Sequence, residues 1–150
     1  MTKLNHKIDK LGNEQYYLDG KLYECKINKL GDKRYYADGI LHREDGPAVE
    51  CADGTKEWWY DGELHREGGP AKEFPDGTKY WYLKGKLHRE GGPALEFTDG
   101  TKLWYINDKC HREDGLAVEH SDGTGLWFYN GIEYRNINSV EELMVAVLLK

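Results

Sequence analysis

The sequence predicts a mainly β protein, an elongated antiparallel tandem β-hairpin repeat array capped by one C-terminal α-helix. Three observations predict it. One block of residues recurs at a fixed step of 23, each copy centres on Asp-Gly between aromatic-rich segments, and only the end of the chain carries a helical apolar period.

The repeat is read first, because a missed period misassigns the whole fold. His-Arg-Glu begins at His42, His65, His88 and His111, and Asp-Gly-Thr at Asp53, Asp76, Asp99 and Asp122, each a step of 23. Trp58, Trp81, Trp104 and Trp127 keep that step, as do Glu50, Glu73, Glu96 and Glu119. The N-terminal part carries a shorter variant: His6 to Gly20 aligns with Cys25 to Gly39 at a step of 19. Tyr35-Tyr36 lies 23 before Trp58-Trp59, so the two registers join. The expected organisation is one continuous domain: two short units in 1–39, four 23-residue units in 40–136, and a capping helix in 137–150. Tyr134-Arg135-Asn136 replaces His-Arg-Glu in the last copy. Divergent ends suit an array whose terminal units have a neighbour on one side only.

Within a unit, segments such as Ala71-Lys-Glu-Phe and Lys79-Tyr-Trp-Tyr-Leu flank Asp76-Gly77. Asp-Gly between β-prone segments signals a hairpin, since the turn needs a positive φ that Gly adopts freely. A second turn is expected at Asp61-Gly62, Lys84-Gly85, Asn107-Asp108 and Asn130-Gly131. A third precedes the first strand, at Asp45-Gly46-Pro47 and its equivalents, where Pro disfavours helix in the residue before it. About two strands per unit follow, with Leu-His-Arg-Glu held in a loop. At the C-terminus, Ser139-Val-Glu-Glu142 reads as a capping box. Val140, Leu143, Met144, Val147 and Leu148 then fall on one helical face. A helix of about twelve residues is unstable alone. Its apolar face is expected to cover the open edge of the last hairpin, with a homodimer contact as the alternative.

Composition agrees with a thin, turn-dense β structure: 18 Gly, 11 Tyr and 5 Trp, with 39% hydrophobic residues. The net charge of −6 is uneven, since residues 1–39 hold eight basic against six acidic groups and residues 40–136 twelve against nineteen. An acidic body disfavours direct nucleic-acid binding, which depends on clustered Lys and Arg. It suits a basic protein partner, or simply solubility. Cys51 stands where other copies have Phe74 and Phe97, and Cys110 where they have Leu41, Leu64 and Leu87. Both read as small buried hydrophobes. The opening Met1-Thr-Lys-Leu-Asn-His-Lys has no apolar run of signal-peptide length, and no segment is long and apolar enough to cross a membrane. A cytoplasmic location is the expectation.

The step of 23, with a turn pair separated by two residues from each His (as in Asp61-Gly-Glu-Leu-His65 and Lys84-Gly-Lys-Leu-His88) and Asp-Gly-Thr-x-x-Trp, resembles the MORN repeat and its bacterial and phage relatives over roughly residues 12–136. The resemblance implies an elongated, twisted array of antiparallel hairpins. After the His, Arg-Glu-Asp-Gly-Pro-Ala stands where MORN units have a short Gly-x-Gly. The Leu-His-Arg-Glu-Asp-Gly-Pro-Ala version is similar to repeat proteins of tailed phages and some bacteria, which implies a phage origin. The N-terminal units, such as Gly12-Asn-Glu-Gln-Tyr-Tyr-Leu-Asp-Gly20, look faintly like choline-binding cell-wall repeats.

Tested for chemistry, the residues favour scaffold over catalysis, and no catalytic residue, metal site or cofactor is expected. Equivalent histidines in successive hairpins lie roughly 10 Å apart, too far to share a metal. They are expected to bond loop carbonyls and pack on aromatics. Four copies of one pattern also fit poorly with one catalytic constellation. His120-Ser121-Asp122 mimics a triad only in order, since Ser121 occupies the position of Ala52, Pro75 and Thr98. An enzymatic reading would need an unrepeated pair such as Glu119 and His120.

Arg43, Arg66, Arg89 and Arg112 are expected to pair with Glu50, Glu73, Glu96 and Glu119, or to offer a row of forks to an anionic ligand. Trp58 and its equivalents read as core. The adjacent column (Trp59, Tyr82, Tyr105, Phe128) points to the opposite face, and one aromatic column is expected inside with the other partly exposed. These aromatics, with the Glu and Arg columns, are the candidate binding residues. The first functional expectation is a non-enzymatic protein whose acidic, aromatic-striped face docks on another macromolecule. If the phage resemblance holds, this becomes an inhibitor of a host defence factor (anti-CRISPR-like) acting on a basic nucleic-acid-binding host protein. The alternative is a receptor for an anionic nucleotide or a choline-type ligand held by the Arg and aromatic columns.

Overall fold

The computed structural model describes residues 7–18 and 21–149. The turn expected at Asp19-Gly20 lies outside the described residues. One ladder of antiparallel strands runs the length of the chain as a 14-stranded sheet, without closing into a barrel. It begins with the short strand Lys7–Ile8, followed by the longer strands Glu14–Leu18, Lys21–Ile27 and Lys33–Ala37. It continues through pairs of two-residue strands, one pair per 23-residue unit. Val49–Glu50 pairs with Lys56–Glu57, Lys72–Glu73 with Lys79–Tyr80, and Leu95–Glu96 with Lys102–Leu103. Each pair also bonds to its neighbours, so units are joined through the backbone.

The registers put Lys33, Glu50, Lys56, Glu73, Lys79, Glu96, Lys102 and Glu119 directly opposite one another in turn. Opposite charges across a ladder favour this register, and a one-residue slip would pair them wrongly. The alternation stops at Gly125, where an added Cβ would collide with the Val118 carbonyl oxygen.

The Asp-Gly-Thr turns are three-residue hairpin loops. Gly54 N–H bonds to the Cys51 carbonyl, Gly54 takes φ +96°, and Cys51 N–H bonds to the Thr55 carbonyl. The Asp53 carboxylate accepts from Thr55 N–H, closing the turn locally.

Beyond the Trp column the strand does not continue straight. Trp59–Tyr60 pairs with Glu63–Leu64, Tyr82–Leu83 with Lys86–Leu87, and Tyr105–Ile106 with Lys109–Cys110. Each unit therefore has two short hairpins, and the Leu of Leu-His-Arg-Glu (Cys in the last copy) ends a strand where a loop was expected. Both central turn residues have positive φ, as at Asp61 (48°) and Gly62 (81°), the pattern that matches the twist of the flanking strands. These second hairpins stack as well: Gly62 N–H bonds to the Leu41 carbonyl and Gly85 N–H to the Leu64 carbonyl.

The core is thin and built from small residues. Ala48, Ala71, Ala94 and Ala117 are fully buried, with Val49 and Leu95 beside them. Cys25 and Cys110 are buried and Cys51 is half-buried, all as free thiols. Burial pushes the Cys110 thiol up to about 11. At the far end the helix Val140–Leu148 starts on Ser139, whose hydroxyl accepts from Glu142 N–H while Glu142 accepts from Asn138 N–H. Leu143 is fully buried, Val140, Met144 and Val147 are half-buried, and Leu148 faces solvent. The contact face thus ends at Val147, one residue short of the apolar period. No helix is long and apolar enough to cross a membrane among the described residues.

Candidate functional site

The loop after each second hairpin folds back over the sheet and carries the charged chemistry. Its Arg is held the same way in every 23-residue copy. The guanidiniums of Arg43, Arg66, Arg89 and Arg112 lie 4.0, 3.8, 3.9 and 4.0 Å over the rings of Tyr35, Trp58, Trp81 and Trp104. The other flat face meets backbone. A Cβ added at Gly46, Gly69, Gly92 or Gly115 would stand 3.2, 3.1, 3.0 or 2.9 Å from the guanidinium carbon. The Gly before Pro (Leu116 in the last copy) is therefore a spacing requirement: a side chain there would push the cation off its aromatic.

With both faces covered, recognition is left to the edges. One edge points inward. Nη1 donates to the carbonyls of Pro47, Pro70, Pro93 and Leu116, and to Glu50, Glu73, Glu96 and Glu119 at 2.7–3.2 Å. The Arg–Glu pairing read from the sequence is present in all four copies. Those Glu residues are consequently half-buried among Arg and Lys, and the acidic groups that do face solvent are others. Glu44, Glu67, Glu90 and Glu113 form the exposed rim of the loops. The repeating His-Arg-Glu text contained that signal, but a Glu beside an Arg reads as its partner until the fold shows it pointing away.

The other guanidinium edge separates the copies into two kinds. In the first and fourth, Nε donates to Asp45 and Asp114 at 2.7 Å. That bond holds both carboxyls below the usual carboxylate range. The second and third copies have Gly68 and Gly91 there, at φ +74° and +73°. Among the described residues no acidic side chain takes the Nε of Arg66 or Arg89, and these two side chains are about a third exposed against 24% and 21% for Arg43 and Arg112.

The histidines couple units rather than form a site. Nδ1 of His42, His65 and His111 accepts the backbone N–H of Asp61, Lys84 and Asn130 in the next unit's turn at 3.1 Å. Nδ1 of His42 and of His88 also lies 3.0 and 3.1 Å from the side-chain oxygens of Asp61 and Asn107. This corrects the expected bond to loop carbonyls: the positive-φ turn residue presents its N–H, not its C=O. His42 and His111 also pack against Tyr60 and Tyr129, with ring centroids 4.5 and 4.8 Å apart. Among the described residues no group of three His, Cys, Asp or Glu stands close enough to hold a metal.

Neither aromatic column is wholly inside or outside. Trp58, Trp81, Trp104 and Trp127 are half-buried, and so are Trp59, Tyr82, Tyr105 and Phe128. Burial raises the phenols of Tyr82 and Tyr105. Trp59 donates its indole N–H to Glu57 at 2.9 Å. Among the described residues the most open of the Tyr, Trp and Phe rings is Tyr60, which the column argument passed over.

Between successive loops lie open grooves. One of about 1150 Å³ is bounded by Arg43, Asp45, Trp58, Tyr60 and Arg66. Others of about 430 and 410 Å³ repeat it one and two units on, along Arg66 to Arg89 and Arg89 to Arg112. Each has an aromatic floor, a guanidinium edge and an acidic rim. No protein-family model matches this chain, and no curated protein matches it.

Proposed function

We propose that this protein is a non-enzymatic binding module whose loop face receives an extended segment of another protein along its row of grooves. The observation that carries the reading is repetition. The same aromatic floor, guanidinium and solvent-facing Glu recur groove after groove, which suits a ligand that runs along the array. The rim of Glu44, Glu67, Glu90 and Glu113 favours a partner with basic groups. A nucleotide-sized ligand is less well served, because one face of each stacked Trp is already covered by an arginine. Membership of a MORN-like repeat class is supported by the hairpin array and the repeated text. An inhibitor of a host defence factor that binds nucleic acid is the narrower form of the proposal, supported by the repeat text and the acidic rim.

Reversing the rim tests the reading. The protein carrying E44K, E67K and E90K together should lose at least about tenfold of its affinity for the wild-type protein's captured partner, the scale of a few rim pairs. Reversal at exposed Glu141 on the helix should leave it unchanged. Equal loss from both sets, or from neither, would reject the loop face as the docking surface.

A further inference from the structure

We propose that Arg66 and Arg89 form two adjacent carboxylate slots, filled by acidic side chains three residues apart on the extended partner segment. The inference rests on the loop-face reading and names what its central grooves recognise. The first and fourth copies display the filled state. There Asp45 and Asp114 place a carboxylate oxygen 2.7 Å from Nε. Those two carboxylates stand in for the group the central copies lack.

The central copies are otherwise built alike. Arg66 and Arg89 keep the same aromatic beneath, the same Gly above and the same inward Nη1 bonds as the end copies. Each guanidinium is thus held in place before a ligand arrives, so a carboxylate meets a fixed, outward-facing Nε–H. A planar cation presenting N–H groups along one edge suits a carboxylate. The replacement of Asp by Gly at 68 and 91 opens the position twice over. It removes the internal carboxylate, and the positive φ of both glycines sets the loop in a conformation that L side chains rarely adopt.

Spacing defines the ligand further. Successive hairpins are two strand separations apart, roughly 10 Å. A polyproline II segment has three residues per turn at about 3.1 Å each, so residues i and i+3 share a side about 9 Å apart. Two acidic side chains at that interval reach both slots. Basic residues between them meet the rim carboxylates Glu67 and Glu90, both exposed beside the slots.

The test is titration of the full-length protein with the peptide acetyl-Lys-Glu-Lys-Lys-Glu-Lys-amide, observing the arginine Nε–H signals by NMR. The signals of Arg66 and Arg89 should shift and saturate while those of Arg43 and Arg112 stay in place. The analogue with both Glu replaced by Gln should bind about a hundredfold more weakly, about tenfold for the charge-assisted hydrogen bond at each slot. The G68D/G91D variant, which adopts the loop text of the end copies, should lose the response to the Glu peptide. Equal binding of both peptides through the rim would overturn the slots while leaving the loop-face reading standing. Absence of any saturable shift would overturn the slots, and the rim-reversal experiment would then decide the loop-face reading alone. Inorganic phosphate moving the same two signals with equal affinity would overturn the assignment to carboxylate.

Discussion

Replacing Arg89 with Lys isolates the work done by the guanidinium's shape. The charge is kept, so a purely electrostatic role predicts almost no change. The plane lies 3.9 Å over Trp81, a half-buried stacking worth about 1 kcal/mol. Nη1 serves the Pro93 carbonyl at 3.0 Å and Glu96 at 2.7 Å, and a lysine ammonium reaching one of these forfeits about 1 kcal/mol for the other. The Glu96 pair itself is partly solvated and contributes at most about 1 kcal/mol, which Lys largely retains. The expected cost is therefore about 2 kcal/mol, read from urea unfolding followed by tryptophan fluorescence. R135K is the control, because Arg135 is 80% exposed and among the described residues pairs with Glu133, and it should leave the urea midpoint where it is. A double-mutant cycle of R89K with W81L should give a coupling near 1 kcal/mol. Equal costs for R89K and R135K, or a coupling near zero, would refute the stacking argument.

Other outcomes follow from the same geometry. H111F keeps a ring against Tyr129 but removes the acceptor for Asn130 N–H, and should cost about 1 kcal/mol and speed hydrogen exchange at that amide; unchanged exchange would contradict the coupling role. L143A removes the one large side chain that is fully buried among the described residues, and should cost about 2–4 kcal/mol and release the helix while the repeat amides keep their protection; a helix that persists would show that other contacts hold it. Because burial raises the Cys110 thiol to about 11, its thiolate is scarce at pH 8 and grows only as pH rises toward that value. Iodoacetamide should accordingly label half-buried Cys51 first at pH 8, and fast labelling of Cys110 without denaturant would contradict its burial.

The parts legible in the sequence were those with local causes. Fixed spacing revealed the units, Asp-Gly and Asn-Gly revealed the turns, and Ser139 to Glu142 marked the start of the helix. The Arg–Glu pairs were legible because two columns at constant offset can meet in every copy. The stacking of Arg66 on Trp58 was not. It depends on the loop folding back across the sheet: the offset of eight recurs in every copy, but unlike opposite charges, a cation and an aromatic ring at constant offset do not by themselves call for contact. The reason for Gly69 was hidden for the same cause, since its partner is a side chain brought in by that fold. The aromatic columns misled because strand alternation assigns faces, whereas burial here depends on what loops and second hairpins lay over each face. The His partners were missed by one atom type, since only the turn's backbone conformation decides whether N–H or C=O points back.

The bonds that tie one unit to the next are alike from joint to joint. Gly62 to Leu41 is repeated as Gly85 to Leu64, and Arg43 to Trp59 as Arg66 to Tyr82. A module with identical sockets fore and aft can be counted like a link in a chain. Gene duplication or loss of 69 nucleotides would lengthen or shorten the array while each joint kept the same backbone bonds. Copies bearing Gly-Gly would then set how many positions remain open, and copies bearing Asp-Gly would act as blanks. Length and readout thus vary independently, with the C-terminal helix left where it is.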